Sequence, residues 1–138
     1  MAATLKLEII TPEAKILETE ADIVQIPAAE GDMGVFPQHE TTVVELNAGE
    51  VQVTRKGKVD VMAIGEGFAE ITGHHIAIMT DGAVNEKDID EQKADEAVKR
   101  AEELLKSNTL KGEELEATQA SLARSLAQIK VKRRRHGG

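Results

Sequence analysis

The residue types that most often carry catalysis are few in this chain of 138 residues, and they are poorly arranged for it. Of the four histidines, His74 and His75 are neighbours. On a strand they would point to opposite faces, which is a poor arrangement for binding one metal ion. The three serines, Ser107, Ser121 and Ser125, fall in one helical region, and none lies in a Gly-x-Ser-x-Gly turn. The pattern favours surface histidines over a catalytic centre.

The other reactive groups also argue against a catalytic centre. The chain has no cysteine, which excludes thiolate metal ligands, a cysteine nucleophile and disulfides. No Gly-x-x-x-x-Gly-Lys run precedes a helix, so a phosphate-binding loop of that type is absent. Carboxylates are numerous but scattered over expected outward faces, where solvated charge is their usual role. We therefore expect no catalytic residue, no metal site and no required cofactor.

One connection, AAEGDMGVFPQHE at residues 28–40, has the composition of a presented surface. Gly31 and Gly34 permit backbone conformations that other residues resist, and Pro37 stiffens the exit. One interpretation is a tight connection that places Val35 and Phe36 in the core. The other is a polar loop presented to a partner. In that loop the outward side chains would be Glu30, Asp32, His39 and Glu40.

Charge is distributed unevenly along the chain. Seventeen basic and 25 acidic residues give a formal net charge of −8. The acidic body and the presence of only two aromatic residues, Phe36 and Phe68, argue against nucleic-acid binding. The basic C-terminus is typical of a solvated, frayed end, although it could contact phosphate or an acidic protein. Its five basic residues are Lys130, Lys132, Arg133, Arg134 and Arg135.

The elements that must position these residues divide near residue 86. In TLKLEII, apolar residues alternate with Lys6 and Glu8, which is the period of a half-buried strand. Short apolar runs separated by turn signals continue to residue 80 and predict an antiparallel sandwich or barrel. No apolar run is long enough to span a bilayer, and the N-terminus does not resemble a signal peptide. The further runs are AKILET, DIVQIP, TVVEL, EVQVTR, VDVMAI, GFAEIT and HIAIMT.

From residue 87 the period becomes helical. Asp88 and Glu91 have the spacing of a capping box, which predicts a helix start at that point. Two apolar stripes joined by a polar loop at residues 107–112 predict an antiparallel helical hairpin. Because the hairpin looks marginal alone, it needs the sandwich or a partner, which suits a switch or an ordinary appendage equally well. The stripes are Ile89, Ala94, Ala97, Val98, Ala101, Leu104 and Leu105, then Leu115, Leu122, Leu126 and Ile129.

Several runs closely resemble the epsilon subunit of bacterial F-type ATP synthase. The family's Gly-acid-apolar-Gly-apolar-aromatic/apolar-Pro-Gly-His run stands here as GDMGVFPQH at residues 31–39, with Gln38 in place of the usual glycine. A second family element stands as GEGFAE at residues 65–70. DIDE at 88–91, KRAEE at 99–103 and residues 120–131 match as well. The resemblance covers essentially the whole chain and depends on the order and spacing of the runs.

The resemblance implies a ten-stranded antiparallel β-sandwich over residues 1–86 and a helix-loop-helix hairpin over residues 87–138. It implies a non-catalytic central-stalk (rotor) subunit that couples proton flow to ATP synthesis. The implied partners are the gamma subunit, the c-subunit ring and the alpha/beta catalytic hexamer. The chain would be peripheral, on the cytoplasmic face of the bacterial inner membrane, and held there only through the complex.

The resemblance also assigns roles to residues. The hairpin would either fold onto the sandwich or extend along gamma and inhibit ATP hydrolysis. The inhibitory contacts would come from Arg124, Arg133, Arg134 and Arg135. The loop facing the c ring would comprise Glu30, Gly31, Asp32, Gly34, Pro37 and His39.

Some members of the family bind ATP at the hairpin through an Ile/Leu-Asp-x-x-Arg-Ala motif. Here Lys93 replaces the arginine, which keeps the charge but loses the planar fork that holds phosphate bidentately. Gln128 stands at another position where a basic residue is expected. We therefore expect ATP to be a weak regulatory ligand. Its site would comprise Ile89, Asp90, Lys93, Ala94, Arg100 and Arg124.

Two other functional classes compete with this interpretation. The first is a free β-sandwich adaptor module that dimerises through its hairpin. The second is an ATP-hydrolysing module, which ranks below it. Co-purification with gamma and the membrane ATPase separates the rotor subunit from the adaptor, and turnover by the pure chain would be needed for the enzyme.

Overall fold

The computed structural model describes residues 3–38 and 40–136, excluding the side chains of residues 135 and 136. Ten strands come first and two helices follow, with the short 3₁₀ helix Glu86–Asp88 between them. The helices are α1 (Glu91–Lys106) and α2 (Glu113–His136). The strands are β1 (Leu5–Ile10), β2 (Lys15–Ala21), β3 (Ile23–Ala28), β4 (Gly31–Val35), β5 (Thr42–Leu46), β6 (Gly49–Arg55), β7 (Lys58–Ile64), β8 (Gly67–Thr72), β9 (His75–Thr80) and β10 (Ala83–Asn85).

The strands form a sandwich in the hydrogen-bonded order β10-β7-β6-β3-β5-β8-β9-β1-β2, with β4 paired to β3. The pairings between described strands are antiparallel except that of β1 with β9, where Leu7 lies beside Ile76. Alternation along β1 places Leu5, Leu7 and Ile9 fully inside the core. The expected fold class, a ten-stranded sandwich followed by a helical hairpin, is confirmed.

Two strands lie outside the apolar runs recognised in the sequence. Residues 28–40, interpreted as a loop, contain β4, which forms a hairpin with β3. Glycine at two of five positions and Asp32 at a third remove the apolar alternation, and pairing with β3 makes the strand instead. Of the two residues placed in the core, Val35 is buried, whereas Phe36 is 56% exposed. The other missed strand, β10, is only three residues long.

The predicted capping box at Asp88 and Glu91 is wrong. Asp88 ends the 3₁₀ helix, and α1 begins at Glu91 with Asp90 as its cap. The Asp90 carboxylate accepts a hydrogen bond of 3.1 Å from the backbone N–H of Lys93. Ile89 is extended and buried against the sandwich, so the helix cannot start before it.

The hairpin packs on itself and on the sandwich. Ala94 and Val98 of α1 contact Ile129 of α2, as the two predicted stripes require. Two stripe residues are exposed, Leu104 at 44% and Leu126 at 48%. The sandwich instead receives a different face of α2, which carries Ala127 and Val131, both buried. Small residues in the α1 stripe allow the helices to approach closely.

The basic C-terminus is not a frayed end over its described part. Residues 130–136 continue α2, and Val131 is buried among residues of β7 and the α1 entry. Sequence reasoning favoured a solvated end because chain termini and runs of like charge are usually solvated. The acids that stabilise them lie elsewhere in the chain. In the described part of the chain, no helix combines the length and apolarity needed to cross a membrane.

Candidate functional site

The tip of the β3–β4 hairpin is exposed over four consecutive residues, 29–32. Ala29 and Glu30 connect the strands, and Ala28 pairs with Gly31 across the turn. Gly31 has φ of +131°, a conformation that side chains other than hydrogen rarely allow. Glu30 and Asp32 are exposed on either side of it. The glycine therefore shapes a tip that carries two carboxylates away from the sandwich.

The structure does not bring together all the residues expected to face the c ring. Pro37 lies beyond the other end of β4, in a turn where the Gln38 N–H donates to the Gly73 carbonyl at 2.7 Å. The five residues of β4 separate the two groups by roughly 3.3 Å each, or about 17 Å in all. Gly34 lies within the strand, where an added Cβ would touch the Phe36 ring. His39 lies outside the described residues. Among the described residues of this set, Glu30, Gly31 and Asp32 lie together at the hairpin tip.

A cavity of about 690 Å³ separates this tip from α2. Its sandwich wall comes from the β3–β4 tip and the β5–β6 turn, including Pro27 and Asn47. Its helical wall includes Leu126, which explains the exposure of that side chain. The mouth carries acids on the sandwich side and Lys130 on the helical side. The tip and α2 are therefore neighbours when the hairpin is folded down.

Four basic side chains of α2 form ion pairs with acids far away in sequence. Arg124 Nη1 lies 3.1 Å from Asp81 Oδ2, in the turn between β9 and β10. Arg134 Nη1 lies 3.1 Å from Glu50 Oε2, on β6. The remaining contacts are Lys132 Nζ to Glu86 Oε1 at 3.8 Å and Arg133 Nε to Glu91 Oε1 at 2.6 Å.

Three of the four expected inhibitory arginines are thus paired inside this chain: Arg124, Arg133 and Arg134. The side chain of Arg135 lies outside the described part. Sequence reasoning missed the acidic partners, which are scattered over β6, the β9–β10 turn, the 3₁₀ helix and α1. The only available signal was the opposite charge of the C-terminus and the body.

The expected ATP residues occupy different environments. Ile89 and Ala94 are buried packing residues, and the Asp90 carboxylate caps α1. Lys93 is exposed, whereas Arg124 is held by Asp81. Arg100 lines a small groove between the helices, together with Thr118 and Ser121. Of the three cations, Arg100 is the one that lines this groove.

A network of charges that sequence reasoning missed covers the outer face of β1, β2 and β9. Glu8 is its centre, with His75 Nε2 at 3.0 Å and Lys15 Nζ at 3.2 Å. Lys15 and Lys6 also pair with Glu18, each at 3.1 Å. The strand register produces the network. Glu8 lies beside Glu18 of β2 on one side and beside Ala77 of β9 on the other, and His75 is two residues before Ala77 on the same strand.

These contacts shift the titration of the network. Hydrogen bonds from His75 and then from Lys15 lower the pKa of Glu8 below its ordinary value of 4.5. Hydrogen bonds from Lys15 and then from Lys6 lower the pKa of Glu18 in the same way. Hydrogen bonding to Glu18 and Glu8 raises the pKa of Lys15 above 10.5. Every charge in the network has an opposite neighbour, which is the pattern of a stabilising surface network.

Comparison with known proteins matches both parts of the chain to one family. The beta-sandwich domain of the ATP synthase Delta/Epsilon chain matches residues 4–86. The long alpha-helix domain of the same chain matches residues 87–133. Together the two matches cover nearly every described residue.

Relatives of similar length carry the same description. The ATP synthase epsilon chain of Desulforamulus reducens is 35% identical over 96% of this chain and 98% of its own. The epsilon chain of Alkalilimnicola ehrlichii is also 35% identical, over 94% of this chain and 92% of its own. The epsilon chain of Bacillus subtilis is 32% identical, over 77% of this chain and 80% of its own.

Solved structures agree with the fold. A chain in the cryo-EM structure of the Euglena gracilis mitochondrial ATP synthase, containing OSCP, F1 and the c-ring, matches with a TM-score of 0.71. It is 28% identical, and the match covers 91% of this chain and 79% of that one. A chain in the central stalk and c-ring structure from Tetrahymena thermophila matches at 12% identity and a TM-score of 0.58, which concerns the fold alone. On the family matches and the whole-length relatives, this chain belongs to the ATP synthase delta/epsilon family, as an epsilon chain.

Proposed function

We propose that this chain is a non-catalytic rotor subunit of a proton-translocating F-type ATP synthase. In this role it couples proton flow to ATP synthesis and restrains ATP hydrolysis through α2. The observation that carries the proposal is the docking of α2, two of whose cations, Arg124 and Arg134, pair with acids of the chain's own sandwich. Each surface ion pair contributes little to stability, so breaking the two pairs with the sandwich costs little.

The partners of the subunit follow from the same proposal. The sandwich binds the gamma subunit and contacts the c-subunit ring, and α2 reaches the alpha/beta hexamer when it extends along gamma. The complex thereby holds the chain at the cytoplasmic face of the bacterial inner membrane. The whole-length resemblance to epsilon chains supports this assignment and disfavours a free adaptor that dimerises through its hairpin.

The decisive experiment compares ATP hydrolysis by the assembled enzyme with and without residues 87–138. We expect the truncated subunit to assemble and the hydrolysis rate to rise, because α2 is the restraining element. Replacing Arg133, Arg134 and Arg135 by glutamine is expected to give a smaller rise, clearest at low ionic strength where charges are least screened. An unchanged rate after truncation would make the hairpin an appendage without inhibitory function.

The contact with the c ring is assigned to the β3–β4 tip. Glu30 and Asp32 project from a turn that Gly31 shapes, which supports a presented surface. Replacing both acids by lysine is expected to weaken proton-driven ATP synthesis in membrane vesicles while the fold is kept. The control replaces two other exposed sandwich acids, Glu13 and Asp60, and alters the net charge equally. Equal coupling in both double variants would remove the tip from the interface.

ATP is proposed as a weak regulatory ligand of the hairpin. Lys93 lacks the guanidinium fork, and Arg124 is paired with Asp81 in the docked state. Calorimetry on the isolated chain is expected to show weak binding that Lys93→Arg tightens. Tight binding by the unmodified chain would contradict the assignment, and absence of binding by both forms would show that the pocket does not exist.

A further inference from the structure

The apolar contact between the hairpin and the sandwich is small. It consists of Val61 and Ala63 of β7, Ile89 at the entry to α1 and Val131 of α2, with half-buried Val84 beside them. The main core of the sandwich is a separate cluster that includes no helical residue. Among the described residues, Val131 is the α2 side chain in this cluster, and Ala127, one turn earlier on the same face, adds only a small buried side chain.

Ion pairs surround this contact along the length of α2. Arg124 meets Asp81 near the middle of the helix, and Arg134 meets Glu50 near its end. Between them Lys132 donates a hydrogen bond of 3.1 Å to the Glu86 backbone carbonyl and lies near its carboxylate. The acidic side chains of Glu50 and Glu86 are only 12% and 17% exposed. Because both carboxylates are largely shielded, these pairs are less screened than fully exposed ones.

We propose that Glu50 and Asp81 form an ionic latch that holds the hairpin down, and that the two acids compete with other acidic surfaces for Arg124 and Arg134. While α2 is docked, each guanidinium lies beside its own sandwich acid, so moving the helix to an external acidic surface must break both pairs. Binding along α2 and release from the sandwich are then linked through the same two side chains. The identity of the external acidic surface rests on the proposed function, whereas the latch itself does not.

The latch can be measured in the isolated chain, which has no native cysteine to interfere with labelling. Two exposed residues are replaced by cysteine: Asn47 in the β5–β6 turn and Gln119 on α2. Each cysteine then carries a spin label. Pulsed electron paramagnetic resonance then gives the distribution of distances between the label on the sandwich and the label on the hairpin. Raising KCl from about 0.05 M to about 0.5 M shortens the Debye length to roughly 4 Å and is expected to enlarge the long-distance population.

The test variant combines Glu50→Gln with Asp81→Asn, which keep the size and one oxygen acceptor of each side chain but remove both charges. We expect the ratio of open to closed molecules at low salt to rise roughly two- to thirty-fold, the sum of two surface-pair contributions. The matched control combines Glu45→Gln with Glu70→Gln, exposed acids for which the described chain shows no ion pair with the helices. Amide shifts of β1 and β9 confirm that each variant keeps its sandwich.

A charge exchange tests the specificity of one pair. Asp81→Arg combined with Arg124→Asp is expected to close the hairpin again relative to Asp81→Arg alone. A distance distribution that responds equally to the test and control variants, or that the exchange fails to restore, would overturn the latch.

The assembled enzyme separates this inference from the proposed function. If both hold, Glu50→Gln with Asp81→Asn slows ATP hydrolysis below the parent rate, because more hairpins are extended. If the distance between the spin labels increases but the hydrolysis rate is unchanged, the latch stands and the restraining role of α2 fails. If the distance distribution does not change, the latch fails whatever the rate of hydrolysis.

Discussion

At the scale of single residues, the charges of this chain act through their partners rather than through reactivity. Glu8 illustrates this, since two lysines and one imidazole surround it: Lys6, Lys15 and His75. The neighbouring acid Glu18 shares the two lysines. The network joins β1 to β2 and to β9, which is the one parallel neighbour among the described strands. Its effect should therefore appear in stability and in its dependence on pH.

The lowered pKa of Glu8 determines the direction of that dependence. Its folded pKa lies below the unfolded value of 4.5, so its contribution is present above pH 4.5 and is lost as the pH falls through the folded pKa. We expect Glu8→Gln to be less stable than the parent chain at neutral pH, and the gap to close in acid. Urea unfolding at several pH values measures the gap. An equal gap at pH 7 and at about pH 2 would mean that packing, not charge, is responsible.

Gly67 begins β8, within the GEGFAE element that carries part of the family resemblance. A Cβ at this position would overlap the backbone carbonyl of Met79 on β9 and lie 2.9 Å from the Cα of Thr80. Both obstacles are backbone atoms of a paired strand, so a side chain cannot be accommodated by a change of rotamer. The glycine is needed for close strand approach, not for its φ angle.

We therefore expect Gly67→Ala to lower the free energy of unfolding by about 1–3 kcal/mol or more through overpacking. Gly73→Ala is the matched control, because nothing lies within 4 Å of a Cβ added there. Thermal denaturation followed by circular dichroism compares the two. Equal Tm values would show that β8 and β9 separate without cost.

At the scale of elements, the hairpin shows how one helix serves two neighbours. Ile129 of α2 packs against α1, whereas Val131, two residues later, packs against the sandwich. A helix turns by 100° per residue, so these two side chains lie on different faces. This arrangement leaves Leu126 uncovered at the cavity beside the β3–β4 tip. Burial on α2 therefore does not follow a single stripe.

Two stripe residues of α2, Ile129 and Leu126, should respond differently to replacement by alanine. Ile129→Ala removes a buried side chain between the helices and is expected to destabilise the hairpin by about 2–4 kcal/mol. Leu126→Ala removes a half-exposed side chain and is expected to cost less than about 1 kcal/mol. Hydrogen exchange of the α1 amides measures the local free energy. Similar exchange in both variants would place Leu126 in the helical contact after all.

At the scale of the whole molecule, two cores of unequal size account for the architecture. The sandwich encloses sixteen buried apolar side chains of its own. The contact with the hairpin adds only Val61 and Ala63 from β7. The hairpin depends on the sandwich for its docking, whereas the core of the sandwich contains no helical residue. The two parts should therefore differ in their ability to fold alone.

We expect a fragment of residues 1–86 to fold without the hairpin. Its Tm should lie within about 10 °C of the sandwich transition in the full chain, since a domain of this size loses 4–8 °C per kcal/mol. The complementary fragment, residues 87–138, is expected to be largely unfolded, because short helices need tertiary contacts. Circular dichroism of the two fragments measures both. A helical hairpin that is stable alone would contradict the dependence.

The sequence alone was sufficient for the fold class, because alternation and helical periodicity are local properties. Eight strands and both helices follow from runs of a few residues each, and the resemblance in order and spacing supplied the family. The sequence alone was insufficient for β4, because glycine and aspartate interrupt the apolar alternation there. The segment becomes a strand only through its pairing with β3. The start of α1 was misplaced because burial of Ile89, a tertiary contact, moves the cap to Asp90.

Only the tertiary structure decided which charges meet. Arg124 and Asp81 are 43 positions apart, and Arg134 and Glu50 are 84 positions apart. No local pattern encodes a pair at such a distance, since the pairing depends on how α2 lies across the sandwich. The same holds for the candidate tip residues, which share a segment in sequence but are divided between two ends of β4 in space. Side-chain periodicity determines the elements, whereas the packing of those elements determines the charge partners and the surfaces.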